Sequence, residues 1–227
     1  MNVVEISAVL AKTEIFGPLD EAIRRSVAGN MSEHVFPKGR VIVGQDEPGD
    51  ELYVIARGTV RVLRCSSKGE RLELVRRRSP DCFGELALLD GGLRSATVET
   101  TTKATVLSLK RERFLALLRS EPSTVEPLLR ILAGMVRGDD VREADYAFLG
   151  LQERLACRLL ELTKAAAVDQ LTRTHRVTQV ELAQMIGASR QRVNLALHSL
   201  VASGIVAKSH DGISILDSEG LERVAQS

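Results

Sequence analysis

The spacing of apolar residues along the chain changes twice, and each change predicts a change of structure. Residues Asn2 to Asn30 place Val4, Ile6, Val9 and Leu10, then Leu19, Ile23 and Val27, at helical intervals, which predicts short amphipathic helices. From Glu33 to Leu109 the period falls to two. HVFPKGRVIV, ELYVIARGTVRVLR, RLELVRRR and SATVETTTKATVLSL are rich in Val, Ile and Thr, as half-buried strands are. Pro37-Lys38-Gly39, Glu47-Pro48-Gly49-Asp50, Arg57-Gly58 and Ser67-Lys68-Gly69 separate them as turn signals. Short strands at that spacing predict a sandwich, roll or barrel.

At Arg111 the period returns to that of a helix. RERFLALLRSE is a short helix stopped by Pro122. A longer helix is predicted to follow, opened by a Ser123–Glu126 capping box with Pro127 in its first turn. Val125, Leu128, Leu132 and Met135 have the spacing of a coiled-coil seam, and Gly134 and Gly138 would let a second helix approach closely. The same face fits packing on the chain's own β-rich domain. After Gly150 a further helix turns Leu151, Leu155, Leu159, Leu160 and Leu162 inward, and the polar stretch DQLTRTHR leads into the last third.

That last third reads as two helices and a hairpin. Thr178 with Glu181 forms a capping box, Leu182, Ala183, Met185 and Ile186 face inward, and Gly187 ends the helix. Ser189 caps a second helix that turns Val193, Leu197, Leu200 and Val201 inward. IVAK and ISIL flank His210-Asp211-Gly212, a hairpin signal, and Asp217-Ser218 starts a last helix. This is a helix-turn-helix with a wing. In such a unit the second helix enters the DNA major groove by its N-terminal side chains. Here those are Arg190, Gln191, Arg192 and Asn194. Arginine suits guanine, and glutamine or asparagine suits adenine. Thr178, Ser189, Arg173, His175 and Arg176 are placed to touch the phosphate backbone.

Composition removes several alternatives. Apolar residues make up 44% of the 227, charged residues 27%, and the net charge is +1, so nucleic-acid contact must come from a local patch. Aromatics are only 3%, too few for base-stacking platforms. Cys65, Cys82 and Cys157 are scattered, which predicts a reduced, cytoplasmic protein and no iron–sulfur cluster. Nothing around His34 or Cys82 marks a haem ligand. The N-terminus lacks a signal-peptide core, and no apolar run is long enough for a membrane. No P-loop, HExxH, GxSxG or plausible Cys-His pair is present, so the chain is not expected to be an enzyme.

One stretch resists a purely structural reading: FGELALLDGGLRSATV, Phe83 to Val98. Glu85 and Arg94 interrupt an apolar run, and a buried charge is costly unless paired. They could pair with each other or face a ligand needing both. The stretch resembles the phosphate-binding cassette of cyclic-nucleotide-binding domains. Together with VTQVELAQMIGASRQRVNLAL, it makes nearly the whole chain resemble the Crp/Fnr (cyclic-AMP receptor protein) family of bacterial transcription regulators.

The resemblance implies an α+β architecture. A cyclic-nucleotide-binding β-roll, jelly-roll-like (double-stranded β-helix), spans 1–122. A long dimerisation helix and hinge span 123–149, and a winged helix-turn-helix spans 150–227. It implies that Arg94 forks onto the ligand phosphate, Ser95 adds a hydroxyl, and backbone N–H groups after Gly84 point at the same anion. Glu85 accepts from the ribose 2′-OH, and Gly91 and Gly92 allow the tight return. Leu86 and Ala96 flank these groups, with Leu86, Leu88 and Val98 packing as core. Counting from Arg94 places Asp139 and Asp140 at the base, and a one-turn slip would place Arg142 and Glu143 there. Ionised aspartates suit adenine's amino group or guanine's N1–H and 2-amino group, so cyclic AMP stands first and cyclic GMP second as an allosteric effector, with no covalent cofactor. The alternative is a degenerate pocket and nucleotide-independent DNA binding, or another ligand. Implied partners are a pseudo-palindromic double-stranded operator with half-sites about 34 Å apart, a second copy along the helix after Glu126, and RNA polymerase if the protein activates. The recognition helix departs from the family pattern, with Gln191 in place of a glutamate and Leu195 in place of a second arginine.

Overall fold

The computed structural model describes residues 1–67, 69–167, 174–175, 177–209 and 212–226. The chain divides into two compact units, Met1–Glu70 with Leu74–Val136, and Arg71–Glu73 with Arg137–Ser227. The division falls inside a long helix rather than at its ends.

In the first unit, α1 (Val3–Leu10) and α2 (Glu21–Ala28) precede eight strands: β1 (Ser32–Phe36), β2 (Val41–Val43), β3 (Glu51–Arg57), β4 (Thr59–Cys65), β5 (Arg71–Arg78), β6 (Cys82–Phe83), β7 (Thr97–Thr100) and β8 (Ala104–Lys110). They form two four-stranded sheets, ordered β1-β8-β3-β6 and β2-β7-β4-β5. The two-residue alternation decides what each sheet face touches. Along β3, Leu52, Val54 and Ala56 pack with Leu107 and Leu109 of β8 against α1, α2 and the edge-on Phe16–Phe114 pair. Ile55 and Val106 point the other way and meet Val43, Val60, Phe83 and Val98, so residues of both sheets share one core. The predicted β-rich domain is therefore present, and the fold is mixed α+β.

Some local expectations fail for tertiary reasons. Val4 is exposed, because α1 turns Ile6, Ser7 and Leu10 to the core, with Val9 packed beside them. The long helix α5 (Val125–Phe148) follows α4 (Arg111–Ser120) through a 3-10 turn, Pro122–Thr124. Ser123 lies inside that turn rather than at a helix boundary, and Thr124 Oγ1 donates to the Glu121 carbonyl at 2.7 Å. Leu128 is buried in the first unit's core, with Ile131 and Leu132 packed beside it. Among the described residues, the large apolar side chains that α5 leaves exposed are Val125, Leu129, Val136 and, at its end, Phe148.

The second unit holds α6 (Leu151–Ala167), α7 (Gln179–Ile186), α8 (Arg190–Ala202) and α9 (Ser218–Ala225), with strands β9 (Thr174–His175), β10 (Val206–Ser209) and β11 (Gly212–Ile215). Leu155, Leu159, Leu182, Ile186, Val193, Leu197, Leu200 and Leu221 make its core. Val201 is exposed instead of inward. The wing has three strands, ordered β10-β11-β9, because the end of the polar link pairs with β11. His210, Asp211, Arg173 and Arg176 lie outside the described residues, as does the side chain of His175.

The caps are as the sequence predicts. Thr178 Oγ1 accepts from the Glu181 N–H at 3.1 Å while Glu181 Oε2 accepts from the Thr178 N–H at 2.8 Å. Gly187 ends α7 at φ 61°, a left-handed conformation that suits glycine. Ser189 and Asp217 cap α8 and α9. Thr178→Ala removes one side of the capping box and should destabilise the second unit by about 1 kcal/mol. Urea denaturation should show this, with Thr178→Ser close to the parent.

Candidate functional site

The cassette is built from a sharp turn into α3 (Glu85–Asp90). Gly84 has φ 90° and Gly91 has φ 73°, both left-handed, so the helix begins and ends on glycine. Gly92 takes no such conformation; its N–H donates to Asp90 Oδ1 at 2.8 Å. The loop 46–50 docks on the chain returning toward β7, with the Arg94 N–H donating to the Glu47 carbonyl and the Asp46 N–H to the Arg94 carbonyl, both 2.8 Å.

Arg94 is buried, and its guanidinium does not pair with Glu85. Nη1 donates to the Gly84 carbonyl at 2.9 Å and Nη2 to the Glu51 carbonyl at 2.8 Å. The guanidinium carbon lies 5.7 Å from the centre of the Tyr53 ring, a cation–π distance. Tyr53 is itself stacked on Phe83, 5.1 Å apart and 12° from parallel. Only glycine fits around this side chain. A Cβ on Gly84 would fall 2.6 Å from Arg94 Nη1, and one on Gly49 would fall 2.2 Å from Nε.

Glu51, which receives Arg94 on its carbonyl, is fixed through its carboxylate. Tyr53 OH donates to Oε2 at 2.9 Å, Ser108 Oγ donates to Oε1 at 3.3 Å, and Lys110 Nζ lies 3.1 Å from Oε1. Ser108 also meets His34 Nε2 at 3.0 Å. Burial acts to raise the Glu51 carboxyl, but the bonds from Tyr53, Lys110 and Ser108 and the Lys110 charge outweigh it and hold it below its ordinary value. Burial, and then Glu51, push the Tyr53 phenol up. Sequence reasoning missed Gly49, Glu51 and Tyr53. The turn Pro48-Gly49-Asp50 ahead of a strand was the one available signal.

Glu85 is buried and its Oε2 has no hydrogen-bond partner. Burial pushes its carboxyl up, against the lowering effects of its own backbone N–H, Arg77 and Arg94. Ser95 is exposed and Ala96 buried. Leu86 is 39% exposed, so it is not core, whereas Leu88 and Val98 are. Asp139 and Asp140 lie on α5 in the second unit. Asp140 is exposed, and the side chains of Asp139, Arg142 and Glu143 lie outside the described residues.

In the helix-turn-helix, Ser189, Arg190, Gln191 and Arg192 are exposed at the start of α8, and Thr178 is exposed at the start of α7. Asn194 is half-buried, and its Oδ1 accepts from Gln179 Nε2 at 2.7 Å. This bond ties α8 to α7. Among the described residues no helix is long and apolar enough to cross a membrane.

Known proteins resemble both units. The family of cyclic nucleotide-binding domains matches residues 33–121, and the Crp-like helix-turn-helix domain family matches residues 153–224. The CRP-like cAMP-activated global transcriptional regulator of Mycobacterium tuberculosis is 32% identical over 221 residues, covering 96% of this chain and 99% of that protein. The cyclic AMP receptor protein of Thermus thermophilus is 31% identical over 195 residues, covering 86% and 88%. In fold, the chain resembles the c-di-GMP responsive global regulator CLP of Xanthomonas campestris, with TM-score 0.76 at 20% identity over 82% of this chain and 94% of that one. Similarity that runs nearly end to end in both chains admits one assignment: the chain belongs to the Crp/Fnr family and is a DNA-binding transcription regulator with a cyclic-nucleotide-binding domain, not an enzyme.

Proposed function

We propose that the first unit binds a cyclic nucleotide, cyclic AMP before cyclic GMP, and that binding sets the DNA affinity of a homodimer. The observation that carries this reading is Glu85 Oε2, a buried carboxylate oxygen without a partner in the same short segment as buried Arg94. An acceptor left unsatisfied in this way costs about 1–3 kcal/mol. A ribose 2′-OH supplies the donor it lacks. Arg94 uses two N–H groups on backbone carbonyls, which orients the fork and leaves its others for the phosphodiester. Ser95 adds a hydroxyl from the exposed side, and Gly84, Leu86 and Ala96 shape the walls. The order of nucleotides rests on relatives named for activation by, or reception of, cyclic AMP.

Two copies pair along α5, in residues 123–149, through the exposed Val125, Leu129 and Val136. A Cβ on Gly134 or Gly138 would meet nothing within 4 Å, so the surface there is open to a close helix. Each copy presents Arg190, Gln191 and Arg192 to one half-site, with Thr178 and Ser189 near phosphates. The effector changes DNA affinity only as far as it binds the two arrangements of the dimer unequally.

Calorimetric melting of the purified protein tests the sensor. Cyclic AMP at about a hundred times its Kd should raise the melting temperature by about 5–10 °C. A rise with cyclic GMP or cyclic di-GMP alone would reassign the ligand. No rise with any of them, together with unchanged operator binding in a gel shift, would replace this reading with nucleotide-independent DNA binding.

A further inference from the structure

The DNA-facing start of α8 carries a leucine among polar residues. Leu195 is 65% exposed, although Val193, Leu197 and Leu200 of the same helix already supply its buried face at 0–2%. Leu195 lies four residues after Gln191, so the two share one stripe of the helix. Gln191 is exposed, and the neighbouring Asn194 is engaged by Gln179. The stripe that meets the groove therefore ends in an amide followed by an apolar side chain.

Those two chemistries match the two halves of one base pair. A glutamine amide accepts from adenine N6 and donates to N7, and the thymine paired with that adenine presents the apolar C5 methyl in the major groove. We infer that Gln191 and Leu195 together read a single A·T pair in each half-site, Gln191 on adenine and Leu195 on the methyl of its thymine. This rests on α8 being the helix that enters the groove. Arg190, one position earlier and exposed, takes a neighbouring guanine. A G·C pair at the same step would set cytosine, which lacks the methyl, beside Leu195 and would break the two-point match to Gln191.

Full-length protein, with cyclic AMP, with cyclic GMP and without either, is used to select binding sites from random duplexes. Each thymine of the selected site is then replaced by deoxyuridine, which removes only the methyl. At one thymine per half-site the replacement should weaken parent binding about fourfold, the worth of one buried methyl-sized group. It should leave Leu195→Ala unchanged. At that same pair, Gln191→Ala should lose the preference for A·T over G·C. Because Leu195 is exposed, Leu195→Ala should melt like the parent and bind random DNA with the parent's salt dependence, so a folding defect is recognised separately. Equal losses in parent and Leu195→Ala at every thymine would overturn the inference while leaving DNA reading by α8 intact. Failure to enrich any sequence under all three conditions would overturn the recognition-helix reading itself.

Discussion

Arg94→Ala is expected to melt well below the parent and to show no further rise with cyclic nucleotide. The side chain is 5% exposed and donates to two backbone carbonyls, those of Gly84 and Glu51. Its removal leaves both part-buried carbonyls without that donor, beside the void where the guanidinium met Tyr53. With each orphaned carbonyl costing about 1–3 kcal/mol, a loss of about 2–6 kcal/mol follows, or a melting temperature lower by roughly 4–24 °C. Loss of nucleotide response alone would be ambiguous in a protein so weakened, and Arg94→Lys separates the two effects. Lysine keeps the charge but cannot fork to two carbonyls and an anion together. It should recover part of the nucleotide-dependent shift and little of the apo stability. Calorimetry on the three proteins checks this. If Arg94→Ala melts lower yet gains as much from cyclic AMP as the parent does, Arg94 is a structural strut and the cassette reading fails.

What could be read in the sequence depended on how local the determining interaction was. The switch from period two to a helical period located the β-rich unit, and Thr178, Glu181, Gly187, Ser189 and Asp217 marked helix ends because each cap acts within three or four residues. Glu85 and Arg94 were visible because a charge is anomalous in an apolar run. The partners of Arg94 were not. Arg94 is held by carbonyls, and a backbone oxygen has no side-chain signature; that one of them belongs to Glu51 depends on how β3 runs beside α3. The anchoring of Glu51 by Tyr53, Ser108 and Lys110 likewise joins two strands distant in sequence. Strand β9 was missed since Thr174 and His175 sit in a polar stretch and become a strand only by pairing with β11. Leu86 and Val201 carried the right spacing, but each is 39% exposed, since spacing fixes which face a residue lies on and not what packs over it. The Ser123–Glu126 signal lost to Pro122, which starts a 3-10 turn ahead of α5.

Glu85→Gln is expected to make the free protein more stable at neutral pH and less responsive to nucleotide. The Glu85 carboxyl is pushed up, by burial first, and that fixes the sign of the pH effect. A carboxyl with a raised value in the folded state holds its proton more tightly there than in the unfolded chain. At pH below the ordinary carboxyl range both states are protonated, and the side chain adds nothing to the pH dependence. As pH rises past that range the unfolded chain ionises more readily, so Glu85 counts against folding, in full once pH exceeds its folded value. Glutamine removes the ionisation. The free variant should exceed the parent by about 1 kcal/mol at pH 7, roughly 2–4 °C in melting temperature, and the advantage should vanish as pH falls below the carboxyl range. Chemical denaturation across pH measures this directly. With nucleotide present the order should change. A neutral carbonyl accepts from the 2′-OH more weakly than a carboxylate, so affinity should drop by about 1–2 kcal/mol, some five- to thirtyfold in Kd. The 2′-deoxy analogue should bind parent and variant with nearly equal affinity, because it lacks the group Glu85 is held to meet. A variant less stable than the parent at pH 7 would show that Glu85 supports the fold rather than waiting, unpaired, for a sugar.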